Sequence, residues 1–351
     1  MSPSTEVSGS PGGVRDGAVY PEQPALATVW RGDAVESVHR GAWCLVDTSG
    51  RVLEERGDVG HPFFTRSSVK CFQVLPLIES GAAERYGVED AELAVAVSSH
   101  NAEPCHVVTA RALLGRAGLD DDALGCGAQP PSDRAARLAL LERGADPGRI
   151  HNNCSGKHAG FLATTQHLGA DVGRYLDHDA PVQVMARDAV AEMTGVAPED
   201  LGRAIDGCSA PTFRMPLTAL AQGFARYTNP DGLEPERRAA AERVVDAVRR
   251  HPVLLAGTER RLCTAISRVT KGAAFPKIGA EAIYAIGFPG RDLGLAVKVD
   301  DGGLRGLHAV VVALLRRFSL IDDAAARALE PFAQRVVRNW DGIDVGRIEV
   351  L

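Results

Sequence analysis

Length, composition and charge exclude several classes of protein before any motif is considered. The chain has 351 residues, which predicts one large domain or two ordinary ones, with a core that needs no disulfide or metal to fold. Hydrophobic residues at 45% and charged residues at 24% exclude a collagen, a coiled coil and a chain that is disordered throughout. A net charge of −6 without any basic run argues against a nucleic-acid scaffold.

Residues 1–20 are predicted to form a disordered leader, followed by a single domain over residues 21–351. The leader is rich in Ser, Pro and Gly and has no apolar segment of the kind that marks a secretory signal. The sequence contains no window of about 18 apolar residues, so no membrane span is predicted. Seven widely spread cysteines, an odd number, indicate reduced and mostly buried thiols, and the chain is expected to be cytoplasmic.

The predicted elements fall into strands, a helical middle, strands again and then helices. Short β-type patterns at 25–31, 35–46 and 51–55 predict an antiparallel meander, and helical spacing begins at Ser67 and continues to Gly81. Further helices are predicted at 104–117, 133–143, 157–167, 180–193, 216–226 and 235–250. Strand character is expected to return near Leu262, with paired strands at 283–288 and 293–299. Helices at 307–318 and 324–333 and a β-like tail follow.

This order predicts an α/β fold in which N- and C-terminal strands build one antiparallel sheet around a helical middle. The strongest local signal in that frame is R-S-S-V-K at 66–70, where the first helix begins. Ser67 and Lys70 are three residues apart and share one helical face, so a neutral lysine there can take the serine proton. The alternative is a helix-capping Ser67 followed by a solvated Lys70.

Lysine is rare in this chain, which adds weight to the few that occur. Only five of the 39 basic residues are lysines, so arginine supplies the ordinary surface charge. Unlike arginine, a desolvated lysine can lose its proton and act as a base or a metal ligand. The alternative is that the five lysines only reflect a biased composition.

Two further short motifs accompany the first. Ser99-His100-Asn101 is an S-x-N, and Lys277-Ile278-Gly279 is a K-x-G. S-x-x-K, S-x-N and K-x-G in this order are typical of class A β-lactamases and penicillin-binding proteins, and predict a serine acyl-transfer site. The alternatives are a turn serine at 99 and a charge at a strand edge at 277.

A second constellation combines H-N-N-C-S-G-K-H at 151–158 with D-G-C at 206–208. Thiolates of Cys154 and Cys208 from separate loops, with the amine of Lys157, can bind a soft metal such as zinc. Two buried thiols beside a helix-capping Asn are the alternative.

Six motifs in order resemble the L-asparaginases of the Rhizobium etli type (class 3), which have a serine β-lactamase-like fold. They are R-S-S-V-K at 66–70, S-S-H-N-A-E-P at 98–104, H-N-N-C-S-G-K-H at 151–158, D-G-C-S-A-P at 206–211, K-I-G-A-E at 277–281 and V-K-V-D-D-G at 297–302. The resemblance implies an asparagine amidohydrolase that forms homodimers. It also implies Ser–Lys tandems of Ser67 with Lys70 and Ser99 with Lys277, and an acyl-enzyme on Ser67.

The same resemblance implies a zinc ion held by Cys154, Lys157 and Cys208, and a substrate-orienting role for Asp206. The substrate α-carboxylate needs a cation, and Arg66 is the nearest candidate by sequence. Two departures from the family pattern are Ala282, where a second Gly is expected, and Asn101, where a Ser is expected. The alternatives are a glutaminase, a penicillin-recognising hydrolase, or a zinc-dependent binding protein without activity.

Overall fold

The computed structural model describes residues 20–333 and 336–351, so the predicted leader lies outside the described residues except for Tyr20. Most of the strands belong to one sheet. They are β1 (Ala25–Arg31), β2 (Ala34–Asp47), β3 (Val52–Arg56), β4 (Pro62–Phe64), β5 (Gly202–Ile205), β6 (Pro211–Pro216), β7 (Phe275–Gly279), β8 (Ile283–Phe288), β9 (Leu293–Val299), β10 (Val336–Arg338) and β11 (Asp344–Val350).

Helices occupy most of the chain between the third and the seventh strand. They are α1 (Lys70–Gln73), α2 (Leu75–Glu79), α3 (Ala82–Arg85), α4 (Asp90–Ala96), α5 (Pro104–Arg116), α6 (Arg134–Glu142), α7 (Ser155–His167), α8 (Pro181–Thr194), α9 (Leu217–Thr228), α10 (Pro235–Arg250), α11 (Pro252–Ala256), α12 (Leu262–Val269), α13 (Leu304–Arg317) and α14 (Asp323–Ala333). Within the described ranges, none of the helices is both long enough and apolar enough to cross a membrane.

The main sheet is antiparallel and joins both ends of the described chain. Its order is β10-β11-β1-β2-β9-β8-β7, and β3 pairs with residues 43–46 of β2. Strand β1 therefore lies between β2 and β11, and β2 continues into the C-terminal half through β9. The predicted α/β fold, with an antiparallel sheet from N- and C-terminal strands and a helical middle, is confirmed.

Close packing of α9 on the sheet depends on two glycines. A Cβ at Gly294 would lie 1.9 Å from the Ala221 carbonyl oxygen, and one at Gly287 would lie 2.4 Å from that of Phe224. Strand β8 is buried at every position, so the centre of the sheet is covered on both faces. This rigid centre carries β7, which brings Lys277 to the candidate site.

Three elements differ from the sequence prediction. The region near Leu262 is helix α12 rather than a strand, because its buried positions Leu262, Cys263 and Ile266 recur at helical spacing. The first helix is divided into a 3-10 turn, α1 and α2, and Pro76 lies in the first turn of α2, where its missing N–H is tolerated. A small antiparallel sheet, β4-β6-β5, was not predicted at all.

Candidate active site

The predicted nucleophile Ser67 lies in a 3-10 turn, Arg66–Val69, that leads directly into α1. Arg66 has a φ of +48°, a left-handed conformation that is uncommon for a residue with a side chain. Lys70 is the first residue of α1 and is completely buried. Strained backbone beside a partly accessible serine and a buried lysine is typical of a functional site.

Ser99 lies in the loop between α4 and α5, and backbone hydrogen bonds hold this loop against α11. The Ser99 N–H donates to the Leu255 carbonyl at 3.1 Å, and the Asn101 N–H donates to that of Ala256 at 3.0 Å. Between them, the His100 N–H donates to the Asn153 carbonyl at 3.2 Å. The loop is thus fixed from two sides, which gives the Ser99 hydroxyl a defined position.

The Ser99 hydroxyl lies between two lysine amines. Lys277 Nζ donates to Ser99 Oγ at 2.9 Å, and Lys70 Nζ donates to the same oxygen at 3.2 Å. Lys70 also donates to the Ser98 carbonyl at 2.5 Å, and Lys277 to that of Ile278 at 3.0 Å. Three of the four predicted catalytic residues are therefore in direct contact.

Ser67 is close to this group without a hydrogen bond to it. Over the described ranges, the Ser67 hydroxyl has no hydrogen-bond partner, and Lys70 Nζ is directed to Ser98, Ser99 and the Asn153 carbonyl at 3.5 Å. Ser67 and Ser99 nevertheless line the same cavity. The Ser67 hydroxyl is thus free to turn toward a bound substrate.

Burial sets the protonation of Lys277. Desolvation, and after it the neighbouring charges of Lys70 and Arg261, lower the pKa of Lys277 to about 7. Cys263 and Cys71 also face the amine and act in the opposite direction. An amine with this pKa is partly neutral at neutral pH and can accept a proton.

The rarity of lysine is matched by an unusual distribution. Four of the five lysines are buried, namely Lys70, Lys157, Lys277 and Lys298. Lysine is almost never fully buried without a specific partner or role. The expectation that the few lysines of this chain do work that arginine cannot do is consistent with this burial.

Arg66, at the start of the 3-10 turn, forms an ion pair with Asp206, which directly follows β5. Arg66 Nε and Nη2 lie 2.9 Å and 2.7 Å from Asp206 Oδ1, and the Gly207 N–H donates to the same oxygen at 2.6 Å. The second oxygen, Oδ2, has no hydrogen bond among the described residues. It can therefore accept one from a ligand.

Two cavities meet at Ser67. The large cavity, about 660 Å³, contains the Ser99 side, and the small cavity, about 280 Å³, contains the Asp206 side. Residues that line both are Ser67, Asn153 and Ala280; Ser99, Arg261 and Tyr284 line only the large cavity, and Arg66, Asp206, Cys154 and Cys208 only the small one. The candidate nucleophile is thus accessible from both sides.

The predicted zinc ligands are brought together at the start of α7. Cys154 immediately precedes α7, Lys157 lies in its first turn, and Cys208 comes from the β5–β6 connection. Lys157 Nζ donates to Cys208 Sγ at 3.3 Å, and all three side chains are buried. The structure therefore places two sulfur atoms and one nitrogen around one point.

The three side chains of this cluster shift one another's pKa values. Contact with the Cys154 thiol, together with the charge of Lys157, lowers the pKa of the Cys208 thiol far below its usual range, against the effect of burial. Contact with Cys208 and burial raise the pKa of Cys154. Burial alone would lower the pKa of Lys157, but the charges of Cys208 and Cys154 more than offset it, so its pKa is raised.

These residues fit a zinc ion by donor chemistry and spacing. Zn–S and Zn–N bonds of about 2.3 Å and 2.0 Å place the two donors of a tetrahedral site roughly 3.5 Å apart, close to the 3.3 Å between Lys157 and Cys208. The buried His158 ring also faces the Cys208 thiol, so a further nitrogen lies beside this cluster. Lys157 must lose its proton before it binds a metal.

One other group of possible metal donors occurs in the part of the chain that the structure describes, formed by Glu103, Cys105 and His106. Its members already have protein partners. His106 Nε2 is 3.1 Å from the Val253 carbonyl, and the Glu103 carboxylate accepts from the N–H and hydroxyl of Thr258. We assign it no ligand.

Sequence reasoning missed Arg261 and Tyr284. Arg261 precedes α12 and donates to the Ser99 carbonyl at 2.5 Å and to Asn101 Oδ1 at 2.7 Å. Tyr284 lies on β8 and lines the same cavity. Neither belongs to a short motif, so only the folded arrangement identifies them.

The turn between β7 and β8 gives a structural meaning to one departure from the family pattern. Glu281 and Ala282 have φ values of +60° and +52°, conformations that glycine adopts without strain. Lys298 Nζ donates to the Glu281 carbonyl at 2.7 Å and so holds this turn beside the cavity. This hydrogen bond helps to hold Ala282 in a backbone conformation that the expected glycine would adopt more easily.

Similarity to solved structures is low in sequence and in overall superposition. A β-lactamase from Mycobacterium bovis is 17% identical over 79% of this chain and 94% of its own, with a TM-score of 0.38. Mglu in its native form is 16% identical over 81% of this chain and 62% of its own, with a TM-score of 0.36. Mglu in its glutamate form is 16% identical over 80% and 61%, with a TM-score of 0.37.

The chain thus spans about three fifths of these Mglu structures. None of the curated proteins gives a significant match to the sequence. The sequence model of the family described as L-asparaginase II matches residues 27–350, which include all of the candidate site residues. The chain belongs to the L-asparaginase II family.

Proposed function

We propose that the protein is an L-asparagine amidohydrolase of the Rhizobium etli type that releases L-aspartate and ammonia through an acyl-enzyme. The observation that carries the proposal is the Ser99 hydroxyl held between Lys277 and Lys70, in the cavity that Ser67 also lines. A serine beside buried amines is suited to acyl transfer. Membership of the L-asparaginase II family supports the amide substrate.

Ser67 is the proposed nucleophile. Its Oγ–H proton passes to the lysine pair, and its oxygen forms a bond to the side-chain carbonyl carbon of asparagine. The bond from that carbon to the amide nitrogen then breaks, and the nitrogen leaves as ammonia with a proton returned from the pair. Water attacks the resulting ester and releases aspartate. Lys277, whose pKa is about 7, is the group best suited to accept and return that proton.

The substrate α-groups are assigned to the small cavity. Arg66 supplies the cation for the α-carboxylate, and the free oxygen of Asp206 accepts from the α-ammonium group. The Ser67 backbone N–H is one donor to the oxyanion that forms in the transition state.

We further propose that Cys154, Lys157 and Cys208 hold a zinc ion beside this cavity. Bound there, zinc would supply positive charge next to the substrate groups without taking part in the acyl transfer. The burial of the three donors and their mutual contacts support the assignment.

A cytoplasmic location and a homodimer complete the proposal. All seven cysteines are free, and most are buried, which favours a reducing compartment. The homodimer is carried over from the resemblance to the Rhizobium etli type and is tested by sedimentation or light scattering.

The first experiment measures ammonia release by purified protein from L-asparagine and L-glutamine, with a β-lactam as a further substrate, in the presence and absence of zinc. Release from asparagine alone supports the proposal. Release mainly from glutamine, or hydrolysis of the β-lactam, would assign a different amide to the same site. Zinc binding without any hydrolysis would support a binding protein instead.

A further inference from the structure

The large cavity exceeds what the release of ammonia requires. A molecule the size of ammonia or water occupies about 30 Å³. If the proposed function is correct, Arg66 and Asp206 hold the acyl part of the substrate in the small cavity, and Ser67 lies at the junction. The leaving nitrogen then faces the large cavity of about 660 Å³, where the Ser99 hydroxyl, which accepts from Lys277, can pass a proton to it.

The lining of the large cavity favours an anion. Three arginines line it, Arg134, Arg260 and Arg261, and none of them forms an ion pair with another described residue. Arg261 directly contacts the loop that carries Ser99. It donates to the Ser99 carbonyl and to the Asn101 side chain, both of which are neutral acceptors. A partly buried guanidinium without a counter-ion gains strongly from a bound carboxylate.

Two carboxylates also line this cavity, and they do not neutralise Arg261. Asp133 accepts from the Ala136 N–H at 2.7 Å as the cap of α6, and Glu259 is exposed to solvent. Neither lies within ion-pair distance of Arg261. The charge beside Ser99 is therefore available to a ligand.

A second, independent observation points to the same place. Tyr284 lines the large cavity, and its buried hydroxyl has no hydrogen-bond partner of good geometry among the residues that the structure describes. The Cys263 thiol, a weak hydrogen-bonding group, faces this hydroxyl. A buried hydroxyl without a strong partner is destabilising, and a ligand oxygen in the cavity would satisfy it.

We propose that this enzyme also hydrolyses β-aspartyl amides whose nitrogen carries a carboxylate-bearing substituent, that is, β-aspartyl amino acids. The substituent occupies the large cavity, where Arg261 and the Tyr284 hydroxyl bind its carboxylate. Ser67 forms the ester to the β-carbonyl carbon, and the bond to the amide nitrogen breaks. The amino acid leaves as the free amine after taking one proton from the lysine pair, and water then releases aspartate.

The test compares β-L-aspartylglycine with β-L-aspartylglycinamide, which differs only in that its carboxylate is replaced by an amide. Release of glycine or glycinamide is measured by chromatography, alongside ammonia release from L-asparagine. We expect kcat/KM for the glycine conjugate to exceed that for the glycinamide conjugate by about 10- to 100-fold, the usual effect of a charged hydrogen-bonded contact.

Two variants localise the preference. Arg261→Met is expected to remove most of it, and Tyr284→Phe to reduce it a few-fold. Since the Cys263 thiol is a weak partner for the Tyr284 hydroxyl, Tyr284→Phe should change the unfolding temperature little. A merely structural effect of either change would lower both conjugates equally and leave the ratio unchanged.

The outcomes separate this inference from the proposed function. Hydrolysis of asparagine without hydrolysis of β-aspartylglycine would overturn the inference and leave the proposed function in place. Hydrolysis of β-aspartylglycine alone would support the inference and make free asparagine the wrong substrate. Hydrolysis of neither would overturn both. A glycine-over-glycinamide ratio near one, or one unchanged in Arg261→Met, would overturn the role of Arg261.

Discussion

Lys277 Nζ lies 2.9 Å from the Ser99 hydroxyl although the two residues are 178 positions apart in the chain. Strand β7 carries the lysine and the loop after α4 carries the serine, so the contact forms only when the sheet and the helical middle are assembled. The same assembly excludes water from the amine, which is why Lys277 can act as a base near neutral pH.

Activity is expected to rise with pH through about 7, because Lys277 must be neutral to accept a proton and its pKa lies there. Below that pH, kcat/KM should fall about tenfold per pH unit, since each unit protonates ten times more of the amine. Burial keeps this pKa low, and the charges of Lys70 and Arg261 act in the same direction, against those of Cys263 and Cys71.

The pH profile is measured with L-asparagine at several pH values, with Lys277→Arg as the control. The guanidinium stays protonated throughout, so this variant should be inactive at every pH. A wild-type profile that stays level across neutral pH would contradict the assignment of Lys277 as the base.

Ser67→Ala is expected to abolish turnover and acyl-enzyme formation while leaving the unfolding temperature unchanged. The hydroxyl has no hydrogen-bond partner within the described ranges, so its loss removes no protein contact. Mass spectrometry of acid-quenched protein detects the acyl-enzyme as an added aspartyl group. Acylation of Ser67→Ala at the wild-type rate would move the nucleophile to another residue.

Ser99→Ala is the matched change on the other serine. It removes the oxygen to which both Lys70 and Lys277 donate, so turnover should fall by about 10²- to 10⁴-fold, the usual contribution of positioned acid–base groups. Slow acylation on Ser67 should remain detectable. Full activity of this variant would show that the shared hydroxyl is not needed for proton transfer.

Cys208→Ser is expected to lower zinc content and to weaken zinc affinity by more than about 100-fold, because a thiolate donor is lost. The control is Cys44→Ala, which removes a buried thiol on β2 that lies outside the site. Zinc is measured by elemental analysis of purified protein. Equal zinc in both variants, at the wild-type level, would remove the proposed zinc site.

Asp206→Asn is expected to raise KM for L-asparagine by about 10- to 100-fold, with a smaller effect on kcat, because it removes the charge proposed to face the substrate ammonium. Asp344→Asn is a matched control, since the pair it forms with Arg338 is exposed. Steady-state kinetics of both variants gives the comparison. A fall in kcat at unchanged KM would place Asp206 in the chemical step instead.

Gly156→Ala is expected to destabilise the protein by about 1–3 kcal/mol or more, because an added Cβ would lie 2.1 Å from the Val95 carbonyl oxygen. Gly115→Ala is the control, since nothing lies within 4 Å of its Cβ position in α5, and alanine there should stabilise by up to about 1 kcal/mol. Denaturant unfolding measures both. Equal stability of the two variants would contradict the close packing of α7 on α4.

Much of the fold and part of the site follow from the sequence, and particular residues show where the prediction stops. The meander, the long helices and the paired strands were predictable because their apolar residues recur with a clear period. Lys70 and Lys277 could be found because lysine is rare and each stands in a short motif. Arg261, one of 34 arginines, carries no such signal.

Contacts between distant segments account for the rest. The motif spacing pairs Ser67 with Lys70, whereas the fold directs both Lys70 and Lys277 to Ser99, since α1 and β7 converge on that loop. The unpaired charge of Arg261 and the weakly bonded hydroxyl of Tyr284 depend on which side chains the fold places around them. No local sequence pattern specifies which distant side chains will lie beside a given residue.

The position of β1 between β2 and β11 has a consequence for synthesis of the chain on the ribosome. The side chain of Arg347 donates to the Gly32 carbonyl across 315 residues, and β1 pairs along its length with a strand made equally late. Until β11 emerges, one edge of β1 offers unpaired N–H and C=O groups to any neighbouring strand. An open edge of this kind promotes aggregation, so early burial by the helical middle would protect the nascent chain until its sheet is closed.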